Sequence, residues 1–146
     1  MSGPALRQLA SHHAIHDAAF QESNDLTSLL AHSIEHNDEE RAEHIAHVLL
    51  EQWETRTLRH AAIEEEEFYQ EIRDSVPHME PMVLRLTRDH ELLRTLAQDI
   101  NHLLSQNSID RMPASLIRFQ AMLQISRIHS RDEEKFLIEP IEAHRA

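Results

Sequence analysis

Chain breakers are the scarcest feature of this sequence, and they restrict its folds more than anything else in it. The single glycine among 146 residues is Gly3, and five prolines supply the other punctuation. Tight hairpins rely on glycine for positive φ, so a fold rich in strands and short turns is disfavoured. Ala, Leu, Glu, His and Arg dominate instead, and this composition favours long helices. Aromatic residues are only 4% of the chain, so a core has to be built from Leu, Ile, Met and Ala.

The breaks divide the chain into four. Pro4 suits the first turn of a helix running to about His36. Asn37, followed by Asp38, Glu39 and Glu40, reads as an N-cap with acids in the next first turn. That second helix continues to about Asp74, where Ser75, Pro77 and Pro81 interrupt it. A third runs from Pro81 or Met82 to near Gln106, and a fourth from near Met112 and Pro113 to about Pro140. Val83, Leu86, Leu93, Ala97, Ile100 and Leu104 share one face of the third; Phe119, Met122, Ile125, Phe136 and Leu137 share one face of the fourth. Short connections between long helices predict an all-α, up-down-up-down antiparallel four-helix bundle. No linker or composition shift divides residues 1–146, which read as one domain.

A formal net charge of -12 works against binding a phosphate backbone, so no nucleic-acid partner is expected. Cysteine is absent, which removes disulfides, thiolate ligands and thiol nucleophiles. No apolar run approaches the ~20 residues of a membrane span, and the first residues lack the basic and apolar segments of a secretory signal. The expectation is a cytoplasmic protein without a membrane partner.

Thirteen histidines are unusual for a chain of this size. At ~100° per residue, His90 lies in the stripe of Val83, Leu86, Ala97 and Leu104, and His129 in that of Met122 and Ile125. His60 shares a face with Leu49 and Trp53, and His16 lies between Leu9 and Phe20, flanked by His12 and His13. Measured from the connecting loops, His90 is level with His129, and His60 with the His12 to His16 region. Each helix thus offers an inward histidine at one depth. Two have a glutamate one turn on: His60 with Glu64, and His129 with Glu133.

One inward histidine is ordinarily a hydrogen-bonded core residue, and a run such as Glu64 to Glu67 ordinarily a solvated face, with at least two of the four facing water. Four at one depth are different, because burying them with carboxylates and no metal would cost a few kcal/mol per unpaired group. A buried cation needs anionic ligands, and a carboxylate can bridge two ions while imidazoles fill the outer positions. Imidazole and carboxylate without thiolate suit iron, manganese or zinc. His32, His36, His44, His47, His78, His102 and His144 read as peripheral.

In this order the elements resemble the hemerythrin-like proteins of the HHE cation-binding family: His16 or a neighbour, His60 with Glu64, His90, then His129 with Glu133 or Glu134. The resemblance covers about Leu6 to Ile141 and includes Phe68, Tyr69 and Pro140. It implies a non-haem centre of two iron ions bridged by two carboxylates, with manganese or zinc as substitutes, that binds, senses or reacts with dioxygen, peroxide or nitric oxide. The sequence departs from the oxygen carriers in placing Leu86 where they have a second third-helix histidine. The first helix instead offers His12 and His16, spaced i,i+4, as a source of the fifth imidazole. Glu133 fits the spacing of a regular helix better than Glu134. The ligand set is therefore His12, His16, His60, Glu64, His90, His129 and Glu133, with His13 an alternative on the first helix. Thr57 and Ser126, one turn before metal histidines, would supply hydroxyls, and Tyr69 reads as a residue of the bundle end. The alternative function is a non-enzymatic sensor or buffer of iron, zinc or manganese.

Overall fold

The computed structural model describes residues 9–145, with side chains through Ala143. The helix start expected at Pro4 and the side chain of His144 lie outside the described residues. Everything described is helix or short connection. We label the long helices α1 (Leu9–Glu35), α2 (39–75), α3 (Glu80–Leu104) and α4 (111–145). Helix α2 widens twice into π-helical turns, at Trp53–Leu58 and Glu64–Tyr69, and α4 does so once, at Glu134–Ile138. A 3₁₀ turn at Pro77–Met79 leads into α3.

The first connection differs from the sequence expectation by one residue. Asn37 is not the N-cap of α2 but the left-handed residue ending α1, with φ of 55°. Its N–H donates to the Ile34 carbonyl at 3.1 Å, and that of Asp38 to Ser33 at 2.9 Å, the paired bonds of a Schellman ending. Asparagine tolerates this conformation better than most residues. Asp38 then caps α2, its carboxylate accepting from the Arg41 backbone N–H at 3.2 Å.

Proline ends no helix at position 140. The ring would clash with the carbonyl four residues back in a regular helix. Pro140 instead enters the first turn after the widened Glu134–Ile138 stretch, and α4 continues to Arg145. The same widening overturns the inward placement of Phe136, which is exposed, while Leu137 and Ile138 are buried.

Helix α1 packs against α2 and α4, and α3 packs against α4 and α2. The buried apolar residues fall into two clusters. The larger gathers Leu30, Leu49, Trp53, Leu93, Ile100, Phe119 and Met122, among others. The smaller gathers Phe68, Tyr69, Ile72, Val83, Leu86, Leu137, Ile138 and Ile141. Between them along α2, α3 and α4 come His60 and Glu64, His90, and His129 and Glu133, so a polar layer divides the core. Among the described residues no helix is long and apolar enough to cross a membrane.

Candidate metal centre

All seven ligands expected from the sequence meet in that layer. His12, His16, His60 and Glu64 form one group and Glu64, His90, His129 and Glu133 a second; in each, the ligand atoms lie within 4.8 Å of one another. Glu64 belongs to both. Its Oε2 is 3.6 Å from Nε2 of His12 and 3.4 Å from that of His60, and its Oε1 is 3.4 Å from Nε2 of His90. Glu133 also spans the halves: it contacts His12 directly and lies 3.9 Å from Nε2 of His16 and 3.5 Å from that of His129. His16 and His60 approach Nε2 to Nε2 at 3.1 Å, and so do His90 and His129 at 3.0 Å. All five imidazoles turn the same nitrogen to the centre.

Burial makes this arrangement hard to explain without a cation. Glu64 and Glu133 are fully buried, and neither oxygen of Glu64 has a hydrogen-bond partner. Only the imidazoles of His12, His60 and His90 stand near it, at 3.4–3.6 Å, and an ionised carboxylate so poorly satisfied away from water costs several kcal/mol. A cation between Glu64 and the surrounding imidazoles removes that cost. The donors present fit such an ion.

The outward nitrogens are held as well. Nδ1 of His90 faces Glu65 at 3.0 Å, Nδ1 of His129 faces Asp89 at 3.0 Å, and Nδ1 of His12 faces Glu134 at 2.9 Å. A carboxylate there fixes the tautomer with Nε2 unprotonated and makes the imidazole a better donor to a metal. Glu65 is in turn clamped by Arg94. Burial raises the Glu65 pKa, but His90 and Arg94 outweigh that and bring it to about 2, so it stays charged. On His16 the partner is the Ser130 hydroxyl at 2.6 Å.

Both alternatives left by the sequence resolve on exposure and contact. The His13 side chain is 70% exposed and reaches only Glu134, at 3.2 Å, so it stays outside the centre. Glu134 supports the outer nitrogen of His12, whereas Glu133 points inward. Of the glutamate run, Glu66 and Glu67 face solvent as expected. The described peripheral histidines His32, His36, His44, His47, His78 and His102 are exposed.

Tyr69 corrects the sequence reading. It is completely buried, its hydroxyl donates to Glu133, and its ring stacks on His90 with centroids 5.6 Å apart and planes 4° apart. In a regular helix Tyr69 would be roughly 140° around from Glu64, which is five residues earlier. The π turn at Glu64–Tyr69 absorbs one extra residue, slipping the phase back by about 100° onto the Glu64 face. The turn at Trp53–Leu58 acts in the same way on His60, turning it away from the Leu49 and Trp53 face to meet His16 of α1. No fixed-period reading shows such slips. Glu65, Asp89 and Ser130 were missed for another reason: half-buried polar residues beside a ligand have no spacing signature.

Comparison with protein-family descriptions, with curated proteins and with solved structures gave no match to the chain. The argument for function therefore rests on the geometry of this centre.

Proposed function

We propose that the protein is a hemerythrin-like non-haem di-iron protein whose centre binds, senses or reacts with dioxygen, peroxide or nitric oxide. The observation that carries this reading is Glu64: a buried carboxylate with no hydrogen-bond donor, shared by two histidine groups. Two groups joined by shared carboxylates suit two ions in the ~3.5–4 Å relationship of dinuclear sites. Five imidazoles and two carboxylates offer each ion four or five protein ligands when the carboxylates are shared. In the three-histidine half five exceeds the four that tetrahedral zinc takes in structural sites, and the imidazole content favours iron over manganese.

The order of the layers along each helix supports an up-down-up-down antiparallel bundle. Helix α1 passes from Leu9, packed on the smaller cluster, through His12 and His16 to the larger. Helix α2 passes from larger to smaller, α3 from smaller to larger, and α4 from larger to smaller. Such alternation is what short connections between neighbouring helices produce.

Two irons held by His12, His16, His60, Glu64, His90, His129 and Glu133 would, in the ferrous state, supply electrons to a small oxidant. The chain's part is to hold the ions, exclude water and fix the donors. Tyr69, buried against Glu133 and His90, puts a hydroxyl proton beside the centre, which favours turnover of a small oxidant over reversible storage in an apolar pocket. Elemental analysis of the untagged protein, with its near-ultraviolet spectrum in air, tests the assignment. About two irons per chain and an oxygen-dependent band lost in His60→Ala support it. Zinc or manganese in place of iron would shift the function to metal sensing or buffering, and failure to take up any metal would defeat it.

A further inference from the structure

Helix α1 and its end carry two pairs of histidines at i,i+4. His12 pairs with His16 and His32 with His36, so the second pair lies twenty residues beyond the first at both positions. Twenty residues at ~100° each carry the chain about 200° past five full turns, which sets the pairs on nearly opposite faces of the helix. The inner pair belongs to the buried centre: His12 has no exposure, and the His16 side chain is 11% exposed. Both side chains of the outer pair face solvent.

The two pairs have nearly the same ring geometry. His12 and His16 have centroids 4.1 Å apart and planes at 27°; for His32 and His36 the values are 4.0 Å and 34°. The outer pair is therefore arranged as the inner one is, with two imidazoles side by side one turn apart. Its nitrogens are also open. Nδ1 of His36 lies 2.9 Å from the His32 carbonyl, which can only accept, so Nδ1 carries the proton and Nε2 keeps its lone pair in the neutral ring. Neither ring has a carboxylate partner among the described residues. Other exposed histidines differ: Nε2 of His47 is taken by Glu43 at 3.0 Å, and that of His102 by Gln106 at 2.7 Å.

Charge points the same way. No lysine or arginine occurs from Leu9 to Glu40, and Glu35, Asp38, Glu39 and Glu40 flank the pair. The pair also sits at the C-terminal end of α1, where the helix dipole favours a cation.

We propose that His32 and His36 form a second, solvent-facing site for a divalent late transition-metal ion, separate from the buried centre. Nε2 of His36 and one ring nitrogen of His32 bind the ion, and water completes its coordination. Imidazole donors in an open site suit copper(II), nickel(II) or zinc(II), with copper(II) held most tightly. His32 lies in the last turn of α1 and His36 just past its end, so the ion staples the end of the helix to the connection that leads into α2.

Copper(II) is the probe, added to protein whose buried centre has first been filled with iron, and followed by calorimetric titration and electron paramagnetic resonance. Wild-type protein is expected to bind about one copper per chain ahead of any weaker sites, with hyperfine splitting from two imidazole nitrogens. His32→Gln and His36→Gln should each weaken that first equivalent by more than about tenfold, because the second donor of a chelate acts at high local concentration. The double variant H44Q/H47Q should leave it unchanged. Iron content and thermal midpoint show that each variant is folded and that the buried centre is intact. Wild-type copper affinity in both single variants would overturn the site, and so would loss of the first equivalent in H44Q/H47Q. The proposal does not depend on what the buried centre binds: in protein that takes up no iron, the two single variants still remove only the outer equivalent.

Discussion

The half built on α1 and α2 has three histidines, His12, His16 and His60; the half built on α3 and α4 has two, His90 and His129. Number is only part of the contrast. Both imidazoles of the smaller set are backed by carboxylates, Glu65 and Asp89, and both are sealed. In the larger set only His12 has a carboxylate partner, Glu134; His16 has a hydroxyl, and Nδ1 of His60 has no partner among the described residues. The chain thus compensates for fewer ligands with stronger orientation and deeper burial. Where it spends an extra imidazole, it tolerates looser support and an opening to solvent.

The shared carboxylate is where this comparison breaks most completely. Glu64→Ala removes an anionic ligand from both halves, so metal content is expected to fall from about two ions per chain to below one. The thermal stabilisation given by metal should fall with it, by roughly 10 °C or more if a few kcal/mol of binding energy are lost. Elemental analysis and melting curves with and without chelator measure both. Retention of two ions would show that Glu64 does not join the halves.

Removing one imidazole from each half should have unequal results. His129→Ala leaves the smaller half with only His90, and about one ion per chain is expected to remain. His16→Ala leaves His12 and His60 in place, and both ions should be retained with weaker affinity. Equal losses in the two variants would erase the distinction between the halves.

A smaller effect follows from the outer partners. Asp89→Asn and Glu65→Gln should each weaken metal affinity by about 10- to 100-fold. Ser130→Ala should cost less than about tenfold, because a neutral hydroxyl orients His16 without charge. Competitive chelator titration gives these constants, and a Ser130 effect equal to that of Asp89 would count against unequal support.

Acid and alkali should separate the metal-free histidines. At His12 burial favours the neutral ring, but Glu133 and Glu64 outweigh it and raise the pKa from 6.5 to about 10. At His129 burial is likewise outweighed, by Glu133 and Asp89, again to about 10. The folded state therefore holds these two protons more tightly than the unfolded chain. Their stabilisation is complete below pH 6.5 and is lost as pH rises through about 10. His16 is opposite: burial and the neighbouring His12 lower it to about 3, so its contribution is lost as pH falls from 6.5 toward that value. Chelated protein should melt at progressively lower temperature across the alkaline range. Metal-loaded protein should not, since ions replace the protons on His12 and His129. Parallel alkaline profiles for the two forms would exclude the metal from these nitrogens.

The seven candidate ligands were legible because two regularities hold near most of them, a helical face and a distance from a loop; His60, turned off its expected face by the widened turn before it, was legible by depth and by its one-turn glutamate. His90 and His129 needed only these, since α3 and the first part of α4 keep one period up to Glu133. Glu64 was legible relative to His60 because the three residues between them avoid both widened turns. Beyond those turns the period fails: Tyr69 comes inward, Phe136 goes outward, and Pro140 falls inside a helix. The supporting residues were hidden because hydrogen-bonding to Nδ1 can be done from many positions by many residue types.

The π turns also mark where this centre tolerates small changes in the length of its gene. Deleting one codon within 65–68 would restore a regular helix there, leave the spacing of His60 to Glu64 untouched, and keep Tyr69, then four residues after Glu64, on the inward face. Deleting one of 134–136 would likewise keep His129, Glu133 and the inward place of Leu137. Single-residue gaps inside helices, usually penalised when sequences are compared, are therefore steps by which such a chain could change length without disturbing its buried phenol or the residues around Glu64 and Glu133.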